Sequence, residues 1–485
     1  MQKPLDKLTK EDLIYKVINL EEELAQLKRL VFGNKSERFV PSVADEQLSL
    51  GLLVEEKQEE IKKQEITYTR TKAEKQSKHP VRMPLPAHLP RIEHIIEPEV
   101  PIEGMRKIGE EITETLEYVP GKLLVNKYIR SKYAKPQGEG VVIGNLPTRL
   151  IERGIAEASL LSFILTSKYV DHLPLHRQIE ILKRLGVKLS PSTVSDWVSY
   201  SLNALKPLYE SLLSKVVGAF YLQADETPIK VLDKEKKGDS HRGYYWVYHA
   251  VKECLVVFDY REGRSREGPE EILDKFRGYL QTDGYGAYDA FGERKGITLI
   301  HCMAHARRYF EKALDNDRSR AEYVLTEMQK LYTIERECRE AGLDYEDRKT
   351  QRQEKALVIL ENLKSWMLVE YTKVTPESLI GKALHYSLSR WEKLSRYTED
   401  GMLEIDNNLV ENAIRPVAIG RKNYLFAGSH DAAQRAAMMY SLFASCKKCD
   451  VNPDEWLKDI LNRISDHPIN RIEELLPNNW KSSKM

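Results

Sequence analysis

No apolar run in this chain approaches the ~18 residues that a membrane-spanning helix needs. The opening stretch "MQKPLDKLTKED" has no apolar signal core, so the chain is expected to stay in the cytoplasm. Cysteine is scarce. Five residues (Cys254, Cys302, Cys338, Cys446 and Cys449) are too few and too scattered for a disulfide framework. The C-x-x-C at Cys446–Cys449 has no second pair or flanking histidines and reads as core thiols on a helix. Excess charge of either sign is also lacking. A net charge of +1 argues neither for nor against nucleic acid as a partner. No internal repeat is evident.

What is present describes a well-charged globular protein, 41% hydrophobic and 31% charged, whose 485 residues allow two to four domains. Near the N-terminus Leu13, Val17, Leu20, Leu24, Leu27 and Val31 recur at alternating steps of four and three. That is a coiled-coil seam, and it equally suits an amphipathic helix packed on its own protein. A linker rich in Glu, Lys, Gln and then Pro follows, and then a short stretch of alternating apolar and polar residues that predicts a small β-containing module. Within it "KLLVNKYIRSKYAK" (122–135) holds five cations, no acid and two tyrosines, a strand pattern that suits a phosphate backbone or a solvated sheet edge.

From Leu150 to about Val217 the periodicity is helical. "PLHRQIEILKRLGVKLSPSTVSDWVSY" predicts a helix, a turn at Gly186, and a second helix capped by Ser190 with Pro191 in its first turn. The outline fits a DNA-binding helix-turn-helix and also an ordinary helical hairpin. At Gly218 the period changes to two. "AFYLQADETPIKVL", "GYYWVYHAV", "CLVVFDY", "GYLQTDGYGAY" and "GITLIHC" predict five strands, the first three close enough for a meander. Helices interleave with the later ones, which makes a mixed α/β sheet. Residues 319 to 397 are again helical and highly charged.

Two strands carry the same arrangement, Gln223-x-Asp225 and Gln281-x-Asp283, the first setting its carboxylate at the middle or end of a core strand and the second at a strand end. Aspartate has poor strand propensity and is costly to bury unpaired, so its placement there asks for a reason. Two carboxylates converging from one sheet repel unless a cation lies between them, and hard oxygen ligands suit Mg²⁺ or Mn²⁺. Glu411 is the candidate third ligand. In "EIDNNLVENAIRPVAIGRKNYLFAG" Asn408, Glu411, Asn412 and Arg415 fall on one helical face. The amides there avoid the added negative charge that further acids would bring. Asp406 is positioned to cap this helix, and Pro416 is expected to limit it after Arg415. A simple Glu411–Arg415 pair across one turn fits the spacing as well. Cys302 and His305, spaced C-x-x-H, are expected to support the site without holding zinc. Arg307, Arg308 and Lys312 follow on the same helix and suit phosphate steering.

Segments spread along nearly the whole chain resemble transposases of the insertion-sequence-66 type. They are "FGNKSERF", "TSKYVDHLPLHRQ", "STVSDWV", "ADETPIKVL", "TDGYGAYD", "CMAHARRYF", "NNLVENAIRPVAIGRKNYLFAGS" and "IEELLPNNW". The resemblance implies a multidomain α/β chain around an RNase H-like mixed-sheet catalytic core of the D-D-E type. The expected divisions are a leucine-zipper-like helix (1–40), a charged, Pro-rich linker (41–90), a small β-containing module (91–148) and a helical DNA-binding region (149–217). The core would be 218–318 with 401–428, interrupted by a helical insertion (319–400) and followed by a C-terminal helical region (429–485). The implied triad is Asp225, Asp283 and Glu411 with two Mg²⁺ (or Mn²⁺) ions, catalysing DNA end cleavage and strand transfer. Asn408, Asn412, Arg415, Arg421 and Lys422 are expected to face DNA. Implied partners are the terminal inverted repeats and target DNA, further copies of the chain, and accessory proteins of the element, at the nucleoid. Relatives often carry a zinc module with cysteine pairs near "EPEVPIEG" and "YAKPQGEG". Neither stretch has cysteine here, so no zinc is expected. A decayed or domesticated DNA-binding protein is the alternative on the same fold. A two-carboxylate glycosidase using Asp225 and Glu411 leaves the zipper and helix-turn-helix patterns without purpose.

Overall fold

The structure, a computed structural model, describes residues 121–130, 132–134, 141–143, 145–152, 154–232 and 240–481. The zipper helix, the linker and most of the 91–148 module lie outside the described residues. The chain divides into two units, 44–143 and the remainder. In the smaller unit, β1 (Lys132–Ala134) pairs antiparallel with β2 (Val141–Ile143). The basic stretch was expected to be a strand throughout, but residues 121–130 are exposed and have no regular structure.

In the larger unit, α1 (Ala158–Tyr169), α2 (Leu175–Arg184), α3 (Pro191–Ala204) and α4 (Lys206–Val217) precede the sheet. The α2–α3 pair has the expected turn chemistry. Gly186 takes a φ of +88°, and Ser190 Oγ accepts from Thr193 N at 3.1 Å. Five strands follow in the order β5-β4-β3-β6-β7. β3 (Tyr221–Leu232), β4 (Ser240–Ala250) and β5 (Leu255–Arg261) form the antiparallel meander. β6 (Gly278–Thr282) and β7 (Ile297–His301) then run parallel to β3. The crossover into β6 is made by α5 (Glu267–Ile272).

Strand alternation divides the core. Leu222 and Ala224 of β3 join one apolar cluster with α1, α3, α4 and the C-terminal helices α13 (His430–Lys448) and α14 (Pro453–Arg463). Tyr221 joins a second cluster with α6 (Met303–Ala313) and the insertion helices α7 (Arg318–Glu340), α9 (Leu357–Tyr371) and α10 (Leu379–Ser389). Each fully buried large side chain, such as Val247 or Phe258, stabilises this packing by roughly 1.5–3 kcal/mol. The 149–217 helices therefore share their core with the sheet. The edge of β5 is closed by α13. Ser441 and Ser445 accept from Phe258 N at 2.7 Å and Val256 N at 2.9 Å, which satisfies amides that an open edge would leave unpaired.

The insertion also contains α8 (Tyr345–Gln351), a π-helical turn (Arg352–Ala356) and α11 (Trp391–Ser395). The chain then returns to β3 and β4 as α12 (Asn408–Asn423). Here one expectation is overturned, because α12 continues through Pro416 for nearly two further turns. An interior proline costs about 3 kcal/mol. Tertiary packing offsets it: Val410, Ala413, Ile414, Val417 and Gly420 are buried, and Arg421 donates to the Pro228 carbonyl of β3.

Candidate catalytic site

The site begins with the register of two parallel strands. Gln223 stands opposite Gln281, so the acids two residues further on, Asp225 and Asp283, emerge side by side where β6 ends. The two glutamines form a buried amide pair, with Gln223 Nε2 donating to Gln281 Oε1 at 2.9 Å. They also reach across to residues 404–410, the segment that leads into α12 and its first turn. Gln223 Nε2 donates to Asp406 O at 2.9 Å, Gln281 Nε2 donates to Glu404 O at 2.7 Å, and Gln223 Oε1 accepts from Val410 N at 3.2 Å. Tyr221 completes the set by donating to Gln281 Oε1 at 2.5 Å and accepting from Glu404 N at 3.1 Å. The repeated Gln-x-Asp pattern thus joins the two aspartate strands to the start of the Glu411 helix.

Asp283 is shaped by its turn. Its Oδ1 accepts from Tyr285 N at 2.8 Å, and Gly284 adopts a φ of +85° that L side chains rarely take. Asp225 Oδ1 accepts from Glu226 N at 2.7 Å. One member of the cluster escaped sequence reasoning. Carboxylate oxygens of Asp225, Glu226 and Asp283 all lie within 4.8 Å of one another. Successive strand residues point to opposite faces, so the strand pattern gives no reason to group Glu226 with Asp225. A second acid directly after the first was the available signal. Arg264 donates to Glu226 Oε1 through Nε at 2.9 Å, and the Tyr288 hydroxyl lies 3.4 Å from Oε2.

Burial pushes the Asp225 carboxyl well above the ordinary carboxylate range, and the charges of Glu226 and Asp283 add to the rise. The Glu226 N–H pulls the other way, and Glu411 contributes a smaller upward push. The Glu226 carboxyl is also raised, first by burial, against the opposing hydrogen bond from Arg264. The pocket is therefore short of positive charge.

Glu411 sits on the first turn of α12, whose N-cap is Asn407, without a side-chain cap bond; Asp406, expected to cap, stands one residue before it and bonds two residues on. Asp406 accepts from Asn408 N at 3.1 Å and from Asn408 Nδ2 at 2.9 Å. Arg308 NH2 donates to Glu411 Oε2 at 2.8 Å, and His305 Nε2 lies 3.8 Å from Oε1. That Oε1 is buried and accepts no hydrogen bond. A buried carboxylate oxygen without a donor suits a divalent cation, although the carboxylates that lie within 4.8 Å of one another are those of Asp225, Glu226 and Asp283, and Glu411 stands outside that group.

The other expected residues divide. Cys302 Sγ is buried and accepts from Asn407 N at 3.3 Å, which ties α6 to α12. His305 and Arg308 join the Glu411 side of the site. Arg307 is buried over the Tyr332 ring and beside Glu311, not on the exposed face expected of a phosphate-steering cation. Asn408 is engaged with Asp406. Asn412, Arg415 and Lys422 are exposed, whereas Arg421 is half-buried against β3.

The comparisons with known proteins define a class, the transposases. The profile of the Transposase IS66 family matches residues 153–435, more than half of the chain. A profile described as Transposase C of IS166 homeodomain matches 19–93, and one described as IS66 C-terminal element matches 441–478. The chain belongs to the IS66 transposase family. Its relatives include the uncharacterized proteins y4qI, 35% identical with 96% of this chain and 89% of that protein covered, and y4jD, 32% identical with 98% and 97% covered. Both are from Sinorhizobium fredii. No solved structure matches. Among the described residues no helix is long and apolar enough to cross a membrane.

Proposed function

We propose that this chain is the D-D-E transposase of an insertion sequence, binding the element's terminal inverted repeats and catalysing end cleavage and strand transfer on an RNase H-like core. The observation that carries the reading is the convergence of Asp225, part-way along β3, with Asp283, just past the end of the parallel strand β6, with Glu411 near enough to add to the upward push on Asp225. An antiparallel meander extended on its first strand by two parallel strands supports the RNase H-like assignment.

Mg²⁺ or Mn²⁺, held by Asp225, Asp283 and Glu411, would supply an acidified water and a positive clamp on the scissile phosphate. The protein's own groups do the rest. The buried glutamines fix the spacing of the three acids without adding charge. Arg308 holds Glu411, and Arg264 offsets part of the negative load through Glu226. In the hydrolytic step a water oxygen bonds to phosphorus as the bond to the 3′ oxygen breaks, freeing a 3′ hydroxyl at the element end. That hydroxyl then attacks a target phosphate, joining the strands as the target's own ester bond breaks. Exposed Asn412 and Arg415 orient phosphates beside Glu411. Further copies of the chain, and accessory proteins of the element, bring the two ends together.

The test is Glu411→Gln, assayed for binding, nicking and joining of terminal-repeat DNA. Binding is expected to persist while nicking and joining drop by at least about a thousandfold. Retained joining would remove Glu411 from the site. A second reading follows from the carboxylate cluster, in which Glu226 completes the ligand set. Glu226→Gln abolishing cleavage while Glu411→Gln spares it would select that reading. Wild-type protein that binds the repeats and leaves them uncut in Mg²⁺ would point to a decayed, DNA-binding descendant.

A further inference from the structure

Beside Asp283 lies a group of side chains that the catalytic reading leaves unused. Tyr309 of α6 and Tyr386 of α10 stack with ring centroids 4.4 Å apart and planes 20° from parallel. Lys312 Nζ lies 5.8 Å from the Tyr309 centroid, and the Arg390 guanidinium carbon lies 4.4 Å from the Tyr386 centroid. The order is cation, ring, ring, cation. Tyr309 and Lys312 are exposed.

The ladder abuts the second acid. The Tyr386 hydroxyl donates to the Asp283 carbonyl at 2.7 Å. A Cβ on Gly284 would fall 3.0 Å from Arg390 Nε and 3.1 Å from the Tyr386 hydroxyl, so both groups press on the turn that presents Asp283. Arg390 Nε is buried and makes no hydrogen bond, while its NH1 donates to Ser389 Oγ at 3.1 Å. Neither Arg390 nor Lys312 forms an ion pair among the described residues.

We propose that Lys312, Tyr309, Tyr386 and Arg390 form a DNA-strand holder. The two cations take backbone phosphates of the strand that enters the acid cluster, and the stacked rings hold them at a fixed spacing. The inference rests on the reading of DNA as substrate, and it gives the helical insertion a direct part in placing that strand. Cations without carboxylate partners, set over aromatic faces, keep their charge available to phosphates. Both faces of the stack are covered by cations, so the recognised group is the phosphate and not a base.

The experiment uses the full chain and a labelled duplex carrying one end of its own element, with affinity measured across a salt series. The logarithm of the affinity falls linearly with the logarithm of salt, by about 0.9 per phosphate contacted. Lys312→Gln and Arg390→Gln are each expected to lower the slope by about one and to weaken binding roughly tenfold at low salt. Arg390→Lys and Tyr309→Phe are expected to keep the wild-type slope. Lys312 is exposed, so its variant decides the matter even if Arg390→Gln folds poorly. Unchanged slopes in a protein that still binds and cuts the duplex would overturn the strand holder and leave the transposase reading standing. Wild-type protein that binds no duplex would overturn both.

Discussion

Two buried polar networks grip the same short segment, residues 403–406, and they are built from opposite chemistry. On the sheet side the grip is neutral: Gln223 and Gln281 bond to the carbonyls of Asp406 and Glu404. On the insertion side it is ionic. Arg352 donates to both oxygens of the fully buried Glu335 at 2.8 Å and to Leu403 O at 2.7 Å. Arg348 bridges Glu335 to Glu404, meeting both Glu404 oxygens at 3.0 Å. The difference follows from distance to the acids. A charged network beneath Asp225 and Asp283 would alter the electrostatics that a cation must balance, whereas amides position the strands and leave that balance alone. In the insertion, opposite charges are matched locally. Burial opposes ionisation of Glu335, yet Arg352 and Arg348 more than offset it and hold its carboxyl below the ordinary range.

The largest effect is expected from breaking the ionic side. Glu335→Gln leaves the buried Arg352 guanidinium without a carboxylate and Arg348 with Glu404 alone, and removing one partner of a buried pair costs about 3–5 kcal/mol. Equilibrium urea unfolding should show that loss. Arg352→Met is expected to lose a similar amount, because three backbone carbonyls (Tyr397, Asp400 and Leu403) also lose their donor. A loss below about 1 kcal/mol in both would mean that the network does not anchor the insertion.

Breaking the neutral side should cost less stability and more chemistry. Gln281→Leu leaves Glu404 O, the Tyr221 hydroxyl and Gln223 Nε2 each short of a partner, at about 1–3 kcal/mol for a buried unsatisfied group. The strand acids and the Glu411 helix lose their common tether, so cleavage should fall by roughly a hundredfold while DNA binding is kept. Equal falls in cleavage and binding would show that the glutamines serve folding alone. Gln281→Glu sharpens the contrast, since it keeps the acceptors but adds charge beneath Asp283.

How much of this was legible in the sequence depended on whether the signal was local. All five strands, the meander, the α2–α3 turn and the helices of 319–397 carried clear periodicity or turn chemistry and stand where those signals put them, with one exception. The β6 pattern ran on to Tyr288, whereas the strand ends at Thr282 and a 3-10 helix starts at Gly286. The paired Gln-x-Asp strands were visible too, but the role of the glutamines was not. Their partners at 404–410 lie more than a hundred residues away, and only the fold brings them together. The same limit hid Arg307, whose burial depends on Tyr332 of the insertion. Glu226 was hidden for a local reason, because strand alternation gives no cause to group it with its neighbour Asp225. Pro416 failed for another reason. Local propensity predicted a helix end, and packing of α12 across the sheet overrode it.

The smallest effect tests why the sheet side must stay neutral. Without metal, the Asp225 carboxyl has a folded pKa above its unfolded value, so the folded state holds a proton that the unfolded state has lost. The contribution of Asp225 to stability therefore declines as pH rises from the ordinary carboxylate value of 3.8 through the raised one. Asp225→Asn removes that penalty. In chelator at neutral pH it should be more stable than wild type by on the order of 1 kcal/mol, with the gap shrinking toward pH 4. Adding Mg²⁺ or Mn²⁺ should stabilise wild type and leave the variant nearly unchanged, closing the gap from the other direction. Thermal melts across pH, with and without the ion, measure both trends. A variant no more stable than wild type in chelator would mean that the pocket already balances its own charge, and the neutrality of the glutamine network would then need another cause.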